Sequence, residues 1–390
     1  MPSISLSQPS GKYQLDSDYY TASFESGSAK HCGALDFIVK QGENANKVAS
    51  PSDLRRRPFT LVFEENTDYH FTPQHTFSIE EDGILRCVLA SLGGAFAGVN
   101  NQRTTYASFT CDEQIVAYPD RFIIRYVWRN TSSTPVIVWS NTHQWWYTNG
   151  FYTQAAMVKD TSRRAAYDGG TFDCAIELWK WNTFGPFHSV TDTADFGRIS
   201  HWYRSTFNPA PDAADGSFPQ ILAVYVQPPG SSTGNTDILG KIEDYHKPDQ
   251  PAMAVGTRTA DSAGDYDADG FNESDAAYHF TASLNRAAFT LDVERRSSPA
   301  ISFYYPVFVL HGYTAPTAPV LRTNGAFLDG EHGVTHAGAT YQGGSYLAAV
   351  LSGNRAAVWF NGIVAADSSF EIAPCFGTRK LVHIGSNLRA

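Results

Sequence analysis

The stretch that decides the fold is DRFIIRYVWRNTSSTPVIVWSNTHQWW, residues 120–146. Its first half alternates: Phe122, Ile124, Tyr126 and Trp128 fall on one face, and Arg121, Ile123, Arg125, Val127 and Arg129 on the other. That period of two is a β-strand. The turn residues 130–134 send the chain back into a second β-branched run, which predicts a hairpin. If the second strand continues through residue 150, Asn141, His143, Trp145 and Tyr147 share one face with Ile137 and Trp139. Three arginines on the first strand either line an anion-binding groove or form a solvated face paired with carboxylates.

Working outward, the same alternation recurs. Strands are expected at 34–40, 59–63, 76–80, 84–89, 175–182, 197–207 and 218–226, and at 277–284, 287–293, 301–310, 346–351, 356–360 and 369–372. Residues 1–58 are otherwise polar and turn-rich, and residues 153–167 are the best helix candidate. The glycine-rich segment 91–101, SLGGAFAGVNN, lacks a GxxxxGK[ST] pattern and reads as a flexible loop. The expectation is an all-β chain: a large antiparallel β-sandwich over 1–230, a Pro/Gly/Ser-rich linker over 231–264, and a smaller β-sandwich over 265–390.

Composition narrows the function. In 390 residues, 42% hydrophobic and 14% aromatic content supports a core, and 17% charged residues argues against disorder. A net charge of −10 argues against a nucleic-acid binder, which needs clustered Lys and Arg. No apolar run reaches the length of a membrane span. The N-terminus shows no secretory signal, so the chain is expected to be cytoplasmic, or secreted or periplasmic if a signal was removed. Five widely spaced cysteines without a CxxC pair suggest buried thiols rather than a disulfide scaffold or a zinc site.

Seven of the eight tryptophans, at 128, 139, 145, 146, 179, 181 and 202, lie in one segment. Indole faces beside hydrogen-bonding groups suit a pyranose ring, which shows an apolar C–H face and a polar rim. A second strand, GRISHWYRSTF at 197–207, places His201 and Tyr203 on one face and Trp202 and Arg204 on the other. The candidate catalytic residues are therefore His143, His201, Tyr203 and Arg204. The candidate sugar-binding residues are Asn141, Gln144, Trp145, Trp146, Tyr147, Arg125, Trp179, Trp181 and Trp202.

Farther on, DYDADGFNESD at 265–275 sets Asp265, Asp267 and Asp269 at alternate positions before Gly270. This matches the first half of a calcium loop, with Glu273 or Asp275 available to close the shell. Position twelve is Ala276, not the bidentate Glu of an EF-hand, so one structural calcium competes with a solvated acidic turn. No organic cofactor is expected.

The 120–146 stretch resembles the core of galactose-mutarotase-type super-sandwich domains, where two strands and an asparagine-led turn deliver a histidine to a concave sheet. A large sandwich followed by a smaller one resembles the β portions of polysaccharide lyases. The resemblance implies a poly- or oligosaccharide substrate and cleavage of a uronate-containing glycan by β-elimination. That chemistry needs a neutralised carboxylate, a base for the adjacent proton and an acid for the leaving oxygen. His143 or His201 is the expected base, Tyr203 or Tyr147 the acid, and Arg204, Asn141 or Gln144 the neutraliser. A glycoside hydrolase would need two carboxylates from among Asp168, Asp173, Glu177, Asp192 and Asp195. A mutarotase would use His143 with Glu177. A binding protein would keep the tryptophans without using His201, Tyr203 and Arg204.

Overall fold

A computed structural model describes residues 3–25, 35–39, 61–63, 66–73, 76–98, 106–139, 142–144, 157–159, 164–168, 173–180, 187–193, 196–202, 204–207, 217–226, 249–259, 264–265, 270–293, 302–328, 340–342 and 345–374. Among them the chain is nearly all β, as expected, in six sheets. The largest has twelve strands, with Arg121–Asn130 paired between Tyr106–Tyr118 and Ser217–Val226.

The central packing is layered. One face of the twelve-stranded sheet carries Phe122, which meets Tyr20 and Phe24 at 5.3 and 6.3 Å between ring centroids. Those aromatics belong to a four-stranded N-terminal sheet, Ile4–Ser7, Lys12–Ser17, Tyr20–Glu25 and Leu35–Val39. Only the last of these strands was anticipated. In Lys12–Ser17 and Tyr20–Glu25, scattered apolar residues (Leu15, Tyr20, Ala22, Phe24) alternate with polar ones, and it is the sheet beneath that buries them.

On the opposite face of the twelve-stranded sheet, Val88, Val116 and Tyr118 pack against Val307, Val309, Ala357 and Trp359 of a seven-stranded C-terminal sheet. That sheet is buried on both sides. Phe308, Leu310, Ala356 and Val358, the alternate residues, pack against Phe289, Leu321, Phe370 and Ile372 of a five-stranded sheet. Two-sided burial is why VFVLH and AAVWF are apolar runs rather than alternating ones. The two sandwiches thus share a buried seam. Two strands inside the expected linker, Ala252–Val255 and Thr257–Arg258, pair with Ala287–Leu291 and Ala277–Thr281 in the C-terminal sheets.

The seam explains a first correction. The arginine face of Arg121–Asn130 is not one uniform surface: Arg121 belongs neither to a solvated face nor to an anion groove. Arg121 is completely buried and forms a two-pronged ion pair with Asp120, Nε to Oδ1 at 3.0 Å and Nη2 to Oδ2 at 2.9 Å. It also donates to the carbonyls of Ala276, Tyr304 and Tyr305 across the seam. Arg129, by contrast, is exposed and pairs with Asp112. One alternating row has met two opposite environments.

Three other expectations change. Arg121–Asn130 does not form a hairpin with Val136–Trp139, which pairs instead with Arg204–Phe207 and, at Val138, with Phe63. Buried Asn130 redirects the chain: its Oδ1 accepts from the Ser132 amide at 2.9 Å, and its Nδ2 donates to the Thr134 carbonyl at 2.8 Å. The expected helix at 153–167 contains Met157–Lys159 and the start of Arg164–Asp168, antiparallel strands on the edge of the largest sheet. Its weak periodicity loses to the ladder offered by Asp173–Lys180. The glycine-rich segment is largely strand, within Cys87–Gly98. Gly93, at φ +64°, accommodates a bulge between Ser91 and Gly94, and its amide donates to Asp112 at 2.7 Å.

Candidate functional site

Of the strand expected to run from Pro135 past His143, residues 140 and 141 lie outside the described residues. Val136–Trp139 belongs to the twelve-stranded sheet, and Thr142–Gln144 to a three-stranded one with Phe187–Thr193 and Phe196–Trp202. In the strand expected at 197–207, residue 203 likewise lies outside the described residues. The pairing on the two sides is in phase. Val136 faces Phe207 and Trp139 faces Arg204; beyond the gap Thr142 faces His201 and His143 faces Ser200. Two strands therefore run as one antiparallel ribbon from the edge of the large sheet into the small one.

Register decides which candidates can cooperate. Directly paired residues share a face, and successive ones alternate. His201 and Thr142 occupy one face, and His143 and Ser200 the other, so the two expected histidines are out of phase. His201 does have a histidine partner that sequence reading overlooked: His188, directly opposite in Phe187–Thr193. In the next pair Phe187 faces Trp202. The signal was present in the sequence as FHSVTDT, an alternating run two residues before Phe196–Trp202, the strand it pairs with.

Among the other candidates, Gln144 closes the Thr142–Gln144 strand opposite Ile199, and Arg204 opens its own strand opposite Trp139. Arg125 and Trp179 both flank Ile221, in a single row across three strands. Four strands stand between Arg125 and the ribbon in sheet order, roughly 24 Å along the sheet at about 4.8 Å per strand. Asn141, Trp145, Trp146, Tyr147, Trp181 and Tyr203 lie outside the described residues.

In the acidic turn, the Gly270 amide donates to Asp265 Oδ2 at 3.0 Å, and Gly270 takes φ +94°. Asp267 and Asp269 lie outside the described residues, and Glu273 is buried. Asp275 is committed elsewhere, which removes it from a calcium shell: both its oxygens face His279 Nε2, at 3.1 and 3.0 Å, and Oδ2 lies 3.3 Å from Arg86 Nη2. Among the described residues, no three metal-ligating side chains converge.

Asp275 belongs to a polar cluster in the seam that sequence reading missed entirely. His279 Nδ1 lies 2.9 Å from His311 Nε2. Arg86 Nε is 3.3 Å from Glu81 Oε2, and Arg355 Nη2 donates to Glu81 Oε1 at 2.7 Å. The Arg86 guanidinium also sits 5.9 Å from the Tyr118 ring centre. Burial works to raise the Asp275 carboxyl, but His279 and Arg86 outweigh it and hold the group below the usual carboxylate range. Burial, reinforced by His279 and Arg355, pushes the half-buried His311 down to about 4. The two buried cysteines among the described residues, Cys87 and Cys111, are free thiols, as expected, and burial raises both.

No known family profile matches the sequence, and no curated protein matches it. Solved structures match it at low similarity. Heparan sulfate lyase HepC from Pedobacter heparinus matches over 65% of this chain and 38% of its own, with 11% identity and a TM-score of 0.33. A Streptomyces coelicolor chondroitin AC lyase in complex with chondroitin sulphate matches over 95% and 50%, with 12% identity and a TM-score of 0.33. A 4-alpha-glucanotransferase from Thermococcus litoralis matches over 58% and 39%, with 11% identity and a TM-score of 0.31. The chain spans from under two fifths to half the length of these proteins.

Proposed function

We propose that this protein is a carbohydrate-active enzyme that cleaves a uronate-containing poly- or oligosaccharide by β-elimination. The observation that carries the reading is the in-phase ribbon, which sets His201 directly across from both Thr142 and His188 within a tryptophan-rich region. Proton abstraction beside a carboxylate needs a base held in place, and a histidine in a paired ladder has little freedom to wander. His201 takes the role of base. Tyr203, two residues on, takes the role of acid toward the leaving oxygen. Arg204 or Asn141 neutralises the uronate, and Trp145, Trp146 and Trp202 supply apolar walls for the sugar rings.

A hydrolase reading asks for two carboxylates flanking one bond. Glu177 stands opposite Arg164 in the ladder register, and no second carboxylate is paired with it there. The deciding experiment is ultraviolet absorbance at the unsaturated-uronate band during incubation with a panel of uronic-acid polysaccharides. β-Elimination leaves a conjugated double bond and raises the absorbance. New reducing ends without absorbance would hand the case to a hydrolase, and neither signal with any glycan would leave a binding protein.

A further inference from the structure

We infer that the His279–His311 pair is an acid-sensitive latch on the seam between the two sandwiches, built to hold it closed at neutral pH and to weaken it under mild acid.

The hydrogen bonds fix the protonation pattern. Asp275 can only accept, so His279 Nε2 carries a proton and donates it. In the neutral ring Nδ1 is then an acceptor, and His311 Nε2–H must be its donor. With both rings neutral, this pattern satisfies both nitrogens of His279 and Nε2 of His311. One added proton can be accommodated, on His279 against Asp275, if His311 moves its own hydrogen to Nδ1. A second puts two N–H groups nose to nose, at a separation of 2.9 Å in the closed state.

The charges around the pair decide what that costs. From the large sheet come Glu80 and Glu81 in Ser78–Asp82, Arg86 just before Cys87–Gly98, and Tyr118 at the end of Tyr106–Tyr118. From the C-terminal sheet come Asp275 before Ala277–Thr281, His279 within it, His311 at the end of Val307–His311, and Arg355 opening Arg355–Phe360 directly opposite His311. At this cluster two ion contacts cross the seam, Arg86 with Asp275 and Arg355 with Glu81. A charged His279 competes with Arg86 for Asp275, and a charged His311 repels Arg355. Arg86 Nη1 and the Tyr118 hydroxyl are buried and make no hydrogen bond within the protein, so water entering an opened seam would meet groups that gain from it.

The direction follows from linkage. In the closed seam His311 stays neutral down to about pH 4, whereas a solvated histidine takes a proton below about 6.5. Opening therefore takes up a proton between those values. The stabilisation is full above pH 6.5 and drains away as pH falls toward 4. Over that window the opening equilibrium should rise by up to about tenfold per pH unit. Asp275 is held low and would lose its contribution only in stronger acid, which separates the two effects.

The test compares the full-length protein with His311→Gln, whose amide can donate to His279 Nδ1 but does not titrate in this range. Urea unfolding is followed at pH 7.5, 6.5, 5.5 and 4.5. The wild type is expected to lose stability with a steeper pH slope than the variant, the difference approaching one proton; parallel slopes would overturn the latch. Should His311→Gln fail to fold, NMR titration of the twelve histidine rings of the wild type decides alone. At least one ring must remain neutral to about pH 4, and all twelve titrating near 6.5 would overturn the inference.

Discussion

Trp359 Nε1 donates to Asp120 Oδ1 at 3.0 Å, so a carboxylate between two strands of the largest sheet is held by an indole from the C-terminal sheet. The same carboxylate neutralises Arg121, which is completely buried. Two sandwiches that the sequence presents as consecutive domains are thus joined through one charge.

Asp120→Asn should show how much that charge matters. The substitution keeps the shape but leaves Arg121 as a buried cation without its carboxylate partner, against groups that include the Tyr225 ring and hydroxyl and three carbonyls. Loss of one partner of a buried pair costs about 3–5 kcal/mol. The expected outcome is a large drop in the urea midpoint of the whole protein, in one transition. Unfolding of the C-terminal sandwich alone, at a separate and lower midpoint, would show the seam to be weaker than its packing implies.

Gly264 sits at φ +115°, and a Cβ there would lie 1.9 Å from Ser274 Oγ and 2.8 Å from Asn272 Oδ1. Both neighbours belong to the turn that leads into Ala277–Thr281. Gly264→Ala should destabilise the protein by at least about 2 kcal/mol, from backbone strain and overpacking together. A melting temperature within one degree of wild type would mean the turn relaxes freely.

For the acidic turn, we propose one structural calcium held by Asp265, Asp267 and Asp269 with Glu273. Calcium at a hundred times its dissociation constant would then stabilise the fold by about 2.7 kcal/mol. The melting temperature should rise with calcium, fall with chelator, and respond to neither in Asp267→Ala. An unchanged wild-type melting curve would leave a solvated turn whose Asp265 simply caps the Gly270 amide.

Within the ribbon, register predicts unequal histidines. Tyr203→Phe and His201→Ala should each lower turnover by about 10²–10⁴-fold with folding intact. His143→Ala, out of phase with His201, should cost far less. Trp145→Ala should raise KM more than it lowers kcat. Comparable losses at His143 and His201 would place the substrate at the rim of the ribbon rather than on one face.

Much of this was written in the chain. The alternation in RFIIRYVWR determined a strand whichever elements covered it, because a period of two follows from backbone geometry alone. Runs such as VFVLH and AAVWF likewise determined strands, since nothing else of that length buries so much apolar surface between turns. The tryptophan cluster and the His201 strand were legible as a candidate site from the same local pattern.

Pairing was decided elsewhere. Nothing near Asp275 in sequence names Arg86 as its neighbour, because that contact joins strands that meet only when sheets assemble. Arg121, Arg125 and Arg129 look equivalent in sequence, yet burial is a property of the layer laid over them. One became a buried ion pair, one a half-buried neighbour of Ile221, and one a surface contact to Asp112. Local sequence determines which way a side chain alternates; only the tertiary structure decides what it faces, because the covering sheet comes from distant sequence.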